Sequence, residues 1–316
     1  MRFVRCALCG SDNYQVLANQ ALYGVQCRNV VCADCGLGYV NPRMEESDLR
    51  AFYHSGYRER QFSQSQPTED FLRKAAREAD ERLAWTSPYL VKQAPVLEVG
   101  CGTGNYLETV RRKTGNRVMG IEPTATYADY GTRQLGLEIR RTFFEDTQLP
   151  QNNFGAIALF HVLEHLEDPA GSLGRFNRAL VSDGYLILEV PNLLKPWDYL
   201  TGFLEDVHLY NFTPVTLTGI LHKAGFRVVW LSDAGVVLRC VARKSEQSND
   251  WQPDPRHAGQ VIAAVRRSNA KYIARHPVWA IRRGLRNIAF GFLGDTRARA
   301  LQQRWRGLKL RNRIRS

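Results

Sequence analysis

Residues 96–108, VLEVGCGTGNYLE, run from an apolar stretch straight into three glycines at alternate positions and then into a helix-forming segment. Alternate glycines cost folding entropy, so a chain places them where its backbone must come close to something. Val96 to Val99 reads as a strand and Tyr106 to Lys113 as a helix, which puts the glycine turn at a helix N-terminus, a natural ligand-holding position. The pattern downstream continues the theme. Short β-prone runs at 96–99, 117–121, 137–140, 156–160, 184–190, 226–231 and 236–243 alternate with helical stretches at 104–113, 125–135, 169–180 and 214–223. Such alternation predicts βαβ units and a mainly parallel α/β sheet. The last two strands lie too close together for a helical crossover, which predicts an antiparallel hairpin.

A dinucleotide would ask for Gly-x-Gly-x-x-Gly. Counted from Gly100 the third glycine is Asn105, and counted from Gly102 it is Leu107, so neither register fits. What stands is Glu98-x-Gly100-x-Gly102-x-Gly104. This resembles the first motif of the class I S-adenosylmethionine-dependent methyltransferases, and later segments agree in order. Glu122, followed by Pro123, ends the second strand, where the resemblance implies a carboxylate for both ribose hydroxyls. Thr142-Phe143-Phe144-Glu145-Asp146 resembles the adenine-side loop, with Phe144 and Glu145 as contacts, although Gly155 stands where an acid usually follows the phenylalanine. His161-Val162-Leu163-Glu164-His165-Leu166-Glu167-Asp168-Pro169 resembles the LEHL-x-DP segment of small-molecule members, and His208 to Pro214 with Gly225-Phe226 resembles a further segment of the family. The resemblance spans residues 1 to about 243 and implies a seven-stranded Rossmann-like sheet that binds S-adenosylmethionine through Glu98, Gly100, Cys101, Gly102, Gly104, Glu122, Pro123, Phe144, Glu145 and His161.

Five of the seven cysteines fall in the first 35 residues. Cys6-x-x-Cys9-Gly10 and Cys32-x-x-Cys35-Gly36 are two knuckles whose spacing suits tetrahedral Zn2+, with Cys27 a bystander. A pair of disulfides is the rival, which an expected cytoplasmic location disfavours. Neither a signal-peptide core at MRFVRCALCG nor an apolar run long enough for a membrane span is evident in the sequence.

Methyl transfer needs an aligned nucleophile and, for a hydroxyl or carbon acid, a base. The candidates are His208, on a segment with Glu205, Asp206 and Tyr210, and His161 and His165, which as a helical i, i+4 pair would face the same pocket. The plainer readings are a lid residue at His208 and a helix-orienting role for His165, bonded to Glu122 or to backbone. Tyr53 and Tyr57 are candidates to cap donor or acceptor; core packing is the alternative. Cys101 suits packing better than reaction.

The net charge of +12 is unevenly spread: residues 256–316 hold sixteen Lys and Arg against Asp295 alone, a net of +15, and the remainder is close to neutral. Around Trp279, Ile281, Leu285, Ile288 and Phe290 the tail reads as a basic amphipathic helix, fit to lie on an anionic membrane surface, to pack on the body or to grip nucleic acid. The chain thus divides into a zinc ribbon (1–43), a helical lid or linker (44–93), a methyltransferase domain (94–244) and a linker with basic tail (245–316). The functional expectation is methylation of a small-molecule or sugar acceptor, nucleotide- or lipid-linked forms included, at oxygen or carbon, in the cytoplasm or at the inner membrane face. An RNA methyltransferase is the alternative, though no Asn/Asp-Pro-Pro-aromatic motif follows the fourth strand. A non-catalytic binding subunit is the third reading.

Overall fold

The computed structural model describes residues 1–22, 25–54, 66–196, 203–204, 208–245, 251–275 and 277, with backbone alone at 20–22, 25–27 and 52–54. Tyr57, Glu205, Asp206 and the tail from 278 lie outside the described residues, as does the side chain of Tyr53.

Seven strands form the main sheet: β4 (Val96–Val99), β5 (Val118–Ile121), β6 (Ile139–Arg140), β7 (Phe154–Phe160), β8 (Leu180–Pro191), β10 (Phe226–Ser232) and β11 (Val237–Lys244). Their spatial order is β10-β11-β8-β7-β4-β5-β6. Only β11 runs against its neighbours, pairing antiparallel with β8 and β10, as the short final connection requires. The sheet centre is apolar because β4 and β7, VLEV and FGAIALF, are buried at every position. β6 is shorter than the expected 137–140 because Leu137 turns inward against Cys101 and Leu107.

The helices start where their caps dictate. α2 (Glu69–Thr86) begins at Thr68, whose hydroxyl accepts from the Phe71 amide, and α3 (Asn105–Thr114) begins at Gly104. α4 spans Ala125–Leu135. Asp168 and Pro169 open α5 (Pro169–Ala179); a Thr213–Thr216 capping box and Pro214 open α6 (Pro214–Lys223). α1 (Glu46–His54) precedes α2.

A second sheet, ordered β1-β2-β3-β9, joins the N-terminal strands Tyr14–Leu22, Val25–Cys32 and Gly38–Val40 to β9 (Tyr210–Asn211), which lies in the segment after β8. The N-terminal part shares its core with the body: Leu8, Val30, Leu37 and Tyr39 lie in one buried cluster with Leu97, Val99 and Phe212.

The region expected as linker and tail contains α7 (Pro255–Arg275). It docks on the body through Val261, Ile262 and Val265, which pack with Val31, Leu193 and Phe203. His257 is also buried, its Nε2 3.0 Å from the Thr213 hydroxyl. The amphipathic stretch around Trp279 to Phe290, for which membrane, body and nucleic acid were the alternatives, lies outside the described residues.

Candidate active site

The glycine turn leaves β4 and is sewn to β5 by the Gly100 and Cys101 amides, which donate to the Ile121 carbonyl at 2.8 and 3.1 Å. Gly100 has φ +69°, and a Cβ there would stand 2.5 Å from Val162 Cγ2, so only glycine allows the turn to approach the His161–Val162 loop. Glu122 holds the turn from the other side. Its carboxylate accepts from the amides of Gly102 and Thr124, each at 2.9 Å. That carboxylate also lines the cleft wall. Glu98 lies behind, 4% exposed, with Oε2 unpartnered; burial, with the charges of Glu122 and Glu189 against that of Arg82, pushes its carboxyl up to about 8.

A cleft of about 690 Å³ opens over the C-terminal ends of β4, β5 and β7. Gly100, Glu122, Pro123, Phe143, Phe144 and Glu145 line one side, and His161, Val162, His165 and His208 line another. α1 and α2 close it with Leu49, Arg50, Phe71 and Arg82. Of the residues expected at the donor, Glu98, Cys101, Gly102 and Gly104 are not in the lining: they shape the turn from behind, Cys101 packing against Leu107 and Leu137. Phe144 is 3% exposed, packed at a tilt against Phe176 with ring centroids 4.5 Å apart and covered by the Arg175 guanidinium at 4.1 Å. Phe143, which sequence reasoning passed over, is the less buried aromatic of that loop. Arg82 was also missed; it lies over the Phe160 ring at 4.2 Å and donates to Glu189 at 2.9 Å. Nothing local marks it, because its partners are more than seventy residues away in the chain.

The histidines converge, though not as a helical pair. His161 has φ +57° and is followed by a single 3-10 turn, Leu163–His165, so the i, i+4 relation expected from the sequence does not exist. The left-handed residue instead swings the loop back over β7, its amide donating to the Glu189 carbonyl at 2.8 Å. His165 and His208 meet edge to face with centroids 4.8 Å apart. Burial and the neighbouring His165 ring bring the His208 imidazole down to about 3, so it is neutral at pH 7. Desolvation works against protonation of His161, but Glu164, 3.5 Å from Nδ1, outweighs it and raises its pKa. The arrangement can therefore hold a nucleoside-sized ligand against the glycine wall and offer a neutral imidazole to its neighbour.

The methyltransferase-domain family matches residues 71–231, just over half of the chain. The chain belongs to the class I S-adenosylmethionine-dependent methyltransferases. Among curated relatives of this methyltransferase, a probable S-adenosylmethionine-dependent methyltransferase of Mycolicibacterium smegmatis is 30% identical over 42% of this chain and 52% of its own length. A ubiquinone biosynthesis O-methyltransferase of Rhodopseudomonas palustris is 28% identical over 57% of this chain and 76% of its own. A tRNA U34 carboxymethyltransferase of Glaesserella parasuis is 28% identical over 54% and 55%. The chain thus spans about half the length of the first and third of these relatives.

The four knuckle cysteines also come together. Cys6 and Cys35 sulfurs are 3.5 Å apart, as are those of Cys9 and Cys32, and all four lie within 4.8 Å of one another without a disulfide. Tetrahedral Zn–S bonds of about 2.3 Å place sulfurs about 3.8 Å apart, so the donor set fits the ion. Among the described residues no helix is long and apolar enough to cross a membrane.

Proposed function

We propose that the methyltransferase transfers a methyl group from S-adenosylmethionine to oxygen or carbon of a small-molecule or sugar acceptor, and that Cys6, Cys9, Cys32 and Cys35 hold Zn2+. One observation carries the catalytic reading: a single cleft sets the Gly100–Glu122 wall against a group of three histidines. S-adenosylmethionine supplies an electrophilic methyl group already activated by its positive sulfur, so the protein's share is alignment and proton removal. Gly100, Glu122, Pro123, Phe144, Glu145 and His161 are the residues that would hold the donor, with Glu98, Cys101, Gly102 and Gly104 setting the turn. The Gly100 turn, which leaves no room for a Cβ, and the Glu122 carboxylate on the cleft wall suit its backbone-facing and polar groups. His208, neutral in its buried setting, is the proposed base, with His165 beside it and His161 at the cleft mouth.

Calorimetric titration with S-adenosylhomocysteine tests this. Wild type is expected to bind, and Glu122→Ala to bind at least tenfold more weakly; absence of binding to folded wild type would sink the reading. Metal analysis is expected to find one zinc per chain, lost in Cys32→Ser.

Two observations favour a lesser alternative, an RNA acceptor: the tRNA-modifying relatives and the +15 charge of residues 256–316. The α1 and α2 side chains that line the cleft, Leu49, Arg50, Phe71 and Arg82, favour the small acceptor. The same charge suits a diphosphate-bearing acceptor or an anionic membrane surface at the inner face.

A further inference from the structure

Glu164 is an anomaly. Its side chain is 0% exposed, and neither carboxylate oxygen has a hydrogen-bond partner. Buried carboxylates are ordinarily paired or hydrogen-bonded, because an unpartnered charge in the interior is strongly disfavoured. What surrounds this one is imidazole. His161 Nδ1 is 3.5 Å away, and ring nitrogens of His165 and His208 lie with its oxygen inside a group 4.8 Å across. His208 Nδ1 is itself buried without a partner.

We propose that Glu164 is a positioning residue, the buried counter-charge that fixes where a proton resides among His161, His165 and His208 and that stabilises the imidazolium formed when this group takes the acceptor's proton. The inference rests on the methyl-transfer reading for its purpose, though not for its geometry. The facing groups are few. His161 and His165 come from the same loop, His208 from the segment before β9, Glu189 from β8 and Arg82 from α2, the last two acting on His161. Burial opposes ionisation of Glu164, yet the three histidines hold its carboxyl below the usual range. The resting group is then one carboxylate, an imidazole at His161 whose proton affinity Glu164 raises, and a neutral His208. Proton balance follows: the acceptor's proton passes to His208 as the acceptor becomes the nucleophile, and leaves by way of the cleft-facing His161, 41% exposed, to water. The group ends with the charge it began with.

Histidine NMR on the full-length protein, with labelled imidazoles titrated from pH 5 to 8.5, tests this without an acceptor. In wild type His161 should titrate above its ordinary 6.5 while His208 stays neutral down to pH 5. Glu164→Gln should lower the proton affinity of His161 at least tenfold, and Glu164→Asp, which keeps a charge, should restore part of it. A wild-type His161 titrating at or below 6.5 overturns the proposal even if neither variant folds, as does an unchanged His161 in folded Glu164→Gln. Glu164, His165 and His208 could instead ligate a divalent cation. A second metal ion in wild type, beyond that of the four cysteines and lost in Glu164→Gln, also overturns it. S-adenosylhomocysteine titration of the same samples separates the two readings: wild type that fails to bind refutes methyl transfer and leaves the histidine titrations to judge Glu164 alone.

Discussion

At Glu98 a carboxyl occupies a strand position buried on all sides, and its ionisation is set against the fold. Its pKa in the folded chain, about 8, lies above the ordinary 4.5, so the folded state binds the proton more tightly than the unfolded one. The associated stability is fully present below about pH 4.5 and is lost as pH rises through about 8. Glu98→Gln should therefore raise Tm over wild type by an amount that grows between pH 4.5 and 8, about 2–4 °C for each kcal/mol removed. Thermal melts at four pH values check it; a Tm difference flat with pH would show that Glu98 does not titrate in that window. Glu98 and Glu122 were legible as a pair because each sits at a fixed step from a strand end, a matter of local spacing. Glu164 was visible only as a letter within LEHL. Its isolation depends on His208, which the chain brings back from 44 residues further on, and local pattern carries no trace of that return.

At the scale of elements, the strands and helices of the main sheet were readable because hydrophobic period, glycine turns and caps all agree there. β9 was not. Two residues long, it exists because β3 offers an open edge: Gly38 pairs with Asn211, Tyr39 with Tyr210, and the Val40 amide donates to the Leu209 carbonyl at 3.0 Å. Arg43 tightens the junction, donating to the Tyr210 hydroxyl at 3.0 Å and to the Glu167 carbonyl at 3.2 Å. The cysteine-bearing sheet thereby grips both segments that carry the histidines of the cleft. With the proposed Zn2+ in place, chelation should raise amide exchange at 208–213 together with 32–40, while β4 and β7 stay protected. Exchange mass spectrometry reads this directly; loosening confined to 32–40 would show that His208 is held independently.

For the whole molecule, α7 decides where the basic C-terminal region can be cut. A chain ending after residue 254 loses the helix that covers Val31, Leu193 and Phe203, whereas one ending after 277 keeps it. The shorter chain should melt several degrees below the longer, since four apolar side chains, Ala258, Val261, Ile262 and Val265, leave their burial site. Calorimetry of the two checks this, and liposome or RNA binding by the region beyond is to be read from the cut after 277. The pairing of β3 with β9 also imposes an order of events on the ribosome. Tyr39 must wait for Tyr210, which at ~5–20 residues per second is roughly 10–35 s of synthesis. For that interval the β3 edge is an unsatisfied template for any other nascent strand. The cysteine knuckles are complete by residue 35, so the proposed Zn2+ would be captured long before then and would hold the sheet in register until its last strand arrives.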